Sequence, residues 1–431
     1  MASTAHVKHM ARRGGIISTP SCSYSTLAKA LGTRPLSRRT PGQARELSHS
    51  RLRSSWWPAG ADAVASSSAS TVASTVASTV AAKALTSLPS PPRSKTIADL
   101  ESLKANNTPI VCLTAHDFPT ALSIRSSDID LCLIGDSLAN VALGYTSTQP
   151  LSLDAIIHHC KAVKRGLDAP LFYAASLLEH VDLPQPPLVI ADMPFGATFG
   201  SLDNAVAAVV RLIQETGVDG VKIEGSYELV PLIKRLTHHG IPVMGHLGLQ
   251  PQRVASTSGY RVQGKTAYQA KDMLDASLAL QQAGSFSIVL ECIPTRVGEL
   301  ISQRLHIPTI GIGAGSKTDG QILVMNDMIG DLTGAAHVLA ALAPAPSQPQ
   351  SQVKTGRQVA TMPITSSLTP TPPRFVRNFS QPSTTSIGAL RIAAVQAYTQ
   401  AVRHRSFPDD NSEAYKMNAA ECKAFLELAQ S

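Results

Sequence analysis

At 431 residues the chain has room for one large domain with tails, or for two domains. Its formal charge of +8 is unevenly spread. Residues 1–98 carry thirteen Lys/Arg against two acids, Glu46 and Asp62, a net of +11, while the remaining 25 basic and 28 acidic residues give −3. A mildly acidic body excludes a basic surface for nucleic acid, and no stretch is long and apolar enough to suggest a membrane partner.

The leader is rich in Arg, Ser and Ala and poor in acids, the composition of a mitochondrial transit peptide. It points to the matrix; the other reading is a disordered extension on a cytoplasmic protein. The Thr-Val-Ala-Ser repeat around residues 71–80 is low-complexity linker, too short in period for a solenoid. Six cysteines form no CxxC pair and no metal-like spacing, which fits a reducing compartment.

From about residue 97, short apolar runs alternate with segments of helical period, which predicts βαβ units around a parallel sheet. The runs are 110–115, 131–135, 188–191, 221–223, 241–244, 288–290 and 309–312, with 322–325 as an eighth. Each is non-alternating and rich in Val, Ile and Leu, as in strands buried on both faces. Ser152 is placed to open a helix that stops near Gly166, and Ser201 to cap one that Gly217 ends. Residues 267–283 and 295–305 add two more helices, and 387–402 and 419–429 follow late in the chain.

Eight such units match a (β/α)8 TIM-type barrel. An open doubly wound sheet fits less well, because no GxGxxG opens the first helix. The expected organisation is a leader and linker over 1–95 and the barrel over 96–334. A disordered Pro/Ser/Thr/Gln-rich insertion then covers 335–372, and a helical segment over 373–431 completes the domain. Residues 171–187 are a second insertion, just before the third strand.

The strands end in polar residues: His116-Asp117, Asp136-Ser137, Asp192, Lys222 with Glu224, His246, Glu291, and the glycine-rich 311–315. In a barrel these positions converge on the C-terminal mouth. Gathered carboxylates need neutralising, and oxygen donors without a Cys/His cluster point to Mg2+ or Mn2+ rather than zinc. Asp136, Asp192 and Glu224 are the metal candidates. Lys222 and Glu224, two apart on a strand, share a face. Lys222 suits a substrate carboxylate or a developing enolate, and His246 is either a hydrogen-bond donor to substrate or a structural histidine. Glu291 is placed to be a proton-abstracting base. The glycine run is either a phosphate cradle or a site of close backbone approach.

The strings IGDSLANVALGY, ADMPFG, GVKIEGS, PVMGHLGLQPQ, GYRVQGK, LECIP and TIGIGAGSKTDGQILVMND, in this order between residues 134 and 327, resemble the ketopantoate hydroxymethyltransferase family. The resemblance implies a TIM-type barrel, assembled as a decamer. The family adds a one-carbon unit from 5,10-methylenetetrahydrofolate to 3-methyl-2-oxobutanoate, with Mg2+ holding the 2-oxo acid. It implies Asp136 and Asp192 as magnesium aspartates and Glu224 as the third acid near the metal. Asp136, Ser137, Asp192, Lys222 and His246 become the substrate-facing set, and Glu291 the catalytic base. His116 departs from the pattern, standing where the family commonly has tyrosine. A magnesium-dependent carbon–carbon lyase or phosphonomutase and a degenerate, non-catalytic barrel are the competing readings.

Overall fold

The computed structural model describes residues 93–169, 183–256, 259–331 and 387–430, with 338–339, 342 and 374–375 between the last two stretches. The expected leader, and most of the two insertions, lie outside the described residues.

Eight strands form the sheet: β1 (Ile110–Thr114), β2 (Leu131–Ile134), β3 (Leu188–Asp192), β4 (Gly220–Glu224), β5 (Val243–Gly248), β6 (Ser287–Glu291), β7 (Thr309–Ile312) and β8 (Gly320–Leu323). They pair in parallel in sequence order, and β8 returns to β1, with Ile110 opposite Gly320, to close the barrel. Nearly every strand residue is buried, which is why the sequence shows continuous apolar runs rather than alternation.

Around the barrel lie α1 (Ile97–Ala105), α2 (Phe118–Ile124), α3 (Leu138–Val141), α4 (Leu153–Leu167), α5 (Leu202–Thr216), α6 (Val230–His238), α7 (Ala267–Gln282), α8 (Thr295–Arg304), α9 (Met325–Ile329), α10 (Ile387–Arg403) and α11 (Ala419–Leu428). The predicted caps are present. Ser152 Oγ accepts from the Ala155 N–H at 3.1 Å and Ser201 Oγ from the Asn204 N–H at 3.3 Å. Gly217 ends α5 in the left-handed region at φ 67°. No helix of the described residues is long and apolar enough to cross a membrane.

Three elements differ from expectation. The fifth strand begins at Val243, not residue 241, because Pro242 has no N–H to donate to the ladder, and it runs on through Gly248. The His246 side chain is therefore carried by the strand itself. The eighth strand is Gly320–Leu323, and Met325, assigned to it from sequence, instead starts α9. At the end of β1, Asp117 is spent on structure: its carboxylate caps α2, accepting from the Thr120 N–H at 2.9 Å.

The closed end of the barrel is tied by a buried ion network. Asp130, wholly buried, accepts from Lys95 Nζ at 2.6 Å, from Arg403 at 2.8 Å and from the Val111 N–H at 2.7 Å. One carboxylate, at the start of β2, thus joins the segment before α1, strand β1 and the late helix α10. Tyr398 of α10 adds a second tie, its hydroxyl lying 2.8 Å from the Cys112 carbonyl and 3.0 Å from that of Gln321. Tyr398→Phe is expected to lower stability by about 1–2 kcal/mol, since buried carbonyls lose a donor. Urea unfolding read by circular dichroism checks it, and an unchanged midpoint would refute the anchoring role.

Candidate active site

The C-terminal mouth opens into a cavity of about 590 Å³. All seven residues singled out from sequence line it: Asp136, Ser137, Asp192, Lys222, Glu224, His246 and Glu291. Strand register explains the grouping. Asp192 lies level with Lys222, and Glu224 level with His246, on neighbouring strands. Glu291 closes β6 opposite Gly248, two residues beyond His246.

The polar contacts follow. Lys222 Nζ donates to Asp192 Oδ1 at 2.6 Å, and the Asp136 N–H donates to Asp192 Oδ2 at 2.9 Å. Asp192 is therefore seated as firmly as its neighbours, despite the insertion that precedes β3. His246 stands between two acids, with Nδ1 3.5 Å from Glu224 Oε1 and Nε2 3.3 Å from Glu291 Oε2. Neither contact is aligned as a hydrogen bond, so both imidazole nitrogens and Glu224 Oε1 are buried without a hydrogen-bond partner. Ser137 makes no capping bond at the start of α3, which leaves its hydroxyl available to a ligand.

Burial controls the charges. It lifts the Asp136 carboxyl to about 7, helped by the neighbouring Asp192 charge, and it lifts Glu224 well above the carboxylate range, helped by Asp136. Glu291 is pushed up to about 8, mainly by burial. Burial opposes the Lys222 charge, but the carboxylates of Asp192, Glu224 and Asp136 outweigh it and its value is raised. His246 falls to about 3 through burial and the Lys222 charge, so the imidazole is neutral.

A site holding four carboxyl groups and one ammonium, with three acids pushed toward protonation and an acid oxygen left unpartnered, suits a hard divalent cation. Among the described residues no three of His, Cys, Asp and Glu converge tightly enough to enclose an ion alone. Mg2+ does not need such a cage: one or two carboxylates suffice, with water and substrate oxygens completing the octahedron. Asp136 and Asp192, joined by the Asp136 N–H on Asp192 Oδ2, fit that part.

Residues 94–340 match the model of the ketopantoate hydroxymethyltransferase family. The chain belongs to that family. The 3-methyl-2-oxobutanoate hydroxymethyltransferase of Halalkalibacterium halodurans is 43% identical over 244 residues, covering 57% of this chain and 81% of that protein. The enzyme of the same name from Bacillus thuringiensis is 35% identical over 337 residues, 78% of this chain and all of its own length. A solved oxaloacetate acetylhydrolase with 3,3-difluorooxalacetate is similar at 14% identity and TM-score 0.41, over 57% of this chain and 84% of that one. That likeness is too remote to bear on chemistry.

This hydroxymethyltransferase-family barrel brings Asp136, Asp192, Glu224 and Glu291 together at its mouth. The glycine run serves close packing: a Cβ on Gly313, at φ 62°, would meet the Phe375 ring at 2.7 Å, and one on Gly315 would meet Thr295 at 2.5 Å. His116 does not line the cavity; its Nε2 sits 3.6 Å from Asp117.

Sequence reasoning missed several walls of the cavity, including Thr148, Tyr260, Asp327, Phe375 and Tyr415. It also missed Gln252, whose amide reaches Asp136. Gln252 lies inside one of the family strings and Thr148 in the loop after β2, so position was a usable signal for both. Tyr415 gave none: it reaches the mouth only because the tail pairs with Pro294 beside β6.

Proposed function

We propose that this mouth joins the one-carbon unit of 5,10-methylenetetrahydrofolate to C3 of 3-methyl-2-oxobutanoate, yielding 2-dehydropantoate, with Mg2+ as the metal. The observation that carries the mechanism is the position of Glu291, set apart from Glu224 by the neutral His246.

Bound at Asp136 and Asp192, Mg2+ supplies Lewis acidity toward the oxygens of a 2-oxo acid. Lys222, held by Asp192, presents positive charge to the substrate carboxylate or to the developing enolate oxygen. Glu291 takes the C3 proton, and the electrons of that C–H bond pass into the enolate. Water breaks the two carbon–nitrogen bonds that hold the one-carbon unit, releasing it at the formaldehyde level and leaving tetrahydrofolate. C3 attacks that carbon, forming the carbon–carbon bond as the C=O π electrons pass to oxygen, which takes a proton to become the product hydroxyl. His246, neutral and wedged between Glu224 and Glu291, can offer the carboxyl of the base a single N–H. Leu133, Val289, Ile312 and Ile322 line the cavity with apolar surface that suits an isopropyl group and keeps water from the enolate.

The test is ketopantoate formation from 3-methyl-2-oxobutanoate and methylenetetrahydrofolate, with Mg2+ and after chelation. Product is expected only with metal; no product in its presence would reject the reading. Residues 1–95 are proposed as a mitochondrial address on composition alone. Fused to a fluorescent protein, they should direct it to mitochondria, and a diffuse signal would argue for a cytoplasmic protein. Assembly into a homo-oligomer is likewise proposed from family resemblance, and a monomer mass in light scattering would remove it.

A further inference from the structure

We infer that Gln252 is a positioning residue that decides which oxygens of Asp136 and Glu224 are left for a cation. It lies in the 3-10 turn Pro251–Arg253 that follows β5, and it carries no charge. Its contacts are nonetheless concentrated on the acids. The side-chain Nε2 donates to Asp136 Oδ2 at 2.8 Å and to the Met193 carbonyl at 3.0 Å. Its main-chain N–H donates to Glu224 Oε2 at 3.1 Å. Its own carbonyl accepts from Gln149 Nε2 at 2.9 Å, which pins the turn to the loop after β2. The residue is 6% exposed.

Chemistry fixes the amide orientation. Both partners of Nε2 are acceptors, so the nitrogen and its two hydrogens must face them; a flipped amide would set oxygen against oxygen. Each acid then has one oxygen committed to Gln252. For Glu224 the other oxygen, Oε1, is buried and has no hydrogen-bond partner. For Asp136 the amide commits Oδ2, and the Thr148 hydroxyl is the other side-chain donor near this carboxylate. A neutral donor suits this role, because a lysine or arginine in its place would cancel the negative charge that attracts the cation. The Met193 contact sets the amide beside the backbone just past Asp192, so the side chain spans the ends of β2 and β3 while the main-chain N–H holds Glu224 of β4. Outer groups that orient metal-binding acids typically contribute about 10–100-fold in affinity.

This inference rests on the metal reading of the site, and the experiment separates the two. Mn2+ is titrated into the purified full chain without substrate, free ion being read by electron paramagnetic resonance. The proteins are wild type, Gln252→Met, which keeps the side-chain volume, and Gln252→Ala. Both variants are expected to bind Mn2+ at least tenfold more weakly, with steady-state activity recovering as Mg2+ is raised. Because either change can also cost stability, folded fraction is measured by circular dichroism and binding is expressed per folded molecule. Wild-type affinity in the folded variants overturns the inference, whatever happens to thermal stability. Weak binding with activity that Mg2+ does not restore also overturns it, since the defect would then lie in the substrate pocket rather than in presentation of the acids. A wild type that binds no Mn2+ removes the metal reading, and this inference with it. Gln149→Ala, which lacks only the bond to the Gln252 carbonyl, is expected to weaken Mn2+ binding by less than either Gln252 variant; a larger loss would place the effect in the loop.

Discussion

Glu291→Gln is expected to abolish exchange of the C3 hydrogen of 3-methyl-2-oxobutanoate with deuterated solvent while leaving the barrel folded. The change is isosteric, and the Glu291 carboxyl lies against His246 Nε2 at 3.3 Å, while its backbone pairing in β6 is untouched. An amide cannot accept the C3 proton at neutral pH, and removing a general base typically costs ~10²- to 10⁴-fold in rate. The exchange assay needs no folate, so it isolates the enolisation step from carbon–carbon bond formation. Retained exchange would remove Glu291 from the role of base. A pH profile adds a second check. Burial holds the Glu291 carboxyl up at about 8 in the free protein, and the base works only when ionised. The rate should therefore climb as pH rises toward that value. An added cation in the cavity moves the limb lower, never higher, because positive charge favours the carboxylate. In the Gln variant that limb should vanish; a persisting limb of the same midpoint would belong to another group.

What the sequence made legible is what strand geometry makes local. Buried parallel strands write themselves as apolar runs, and the residue that follows each run is at the mouth by construction. Asp136, Asp192, Lys222, Glu224, His246 and Glu291 were accessible in this way, and all of them line the cavity. Asp117 shows the limit of the rule. It also follows a strand, but the helix start beside it claims its carboxylate as a cap. Gln252 shows another limit: its place in a family string marks the position, but an uncharged side chain in a turn does not show that its donors point at acids on other strands. Tyr415 and Phe375 reach the mouth from late in the chain. Their placement depends on long-range packing, such as the Phe375 ring against Gly313, which periodicity does not encode. The boundary errors are of the same origin: hydropathy carried the fifth strand back to residue 241, whereas the ladder starts only where an N–H follows Pro242.

Asp192→Asn should affect stability and chemistry together, because both oxygens of Asp192 are in use. Oδ1 accepts from Lys222 Nζ at 2.6 Å and Oδ2 from the Asp136 N–H at 2.9 Å, with the residue 2% exposed. An asparagine offers one oxygen and one NH2, so whichever way it turns, a donor faces a donor. Lys222 also loses its contact anion. Breaking a buried pair by removing one partner costs about 3–5 kcal/mol, and the neighbouring Glu224 and Asp136 carboxyls, which also favour the Lys222 ammonium, place this site toward the lower end. Chemical unfolding should show that loss, and product formation should fall by at least ~10²-fold as a charge is withdrawn from the cation site and the Lys222 ammonium loses its anchor. Activity or stability near that of the wild type would contradict the arrangement. The double variant Asp192→Asn with Lys222→Met separates the two effects. An apolar side chain of similar length no longer strands a charge, so stability should return toward the parent, as replacement of buried ion pairs often allows. Activity should stay lost. Recovery of both together would mean that the pair serves folding alone, and that the cation and the substrate carboxylate are held by other groups.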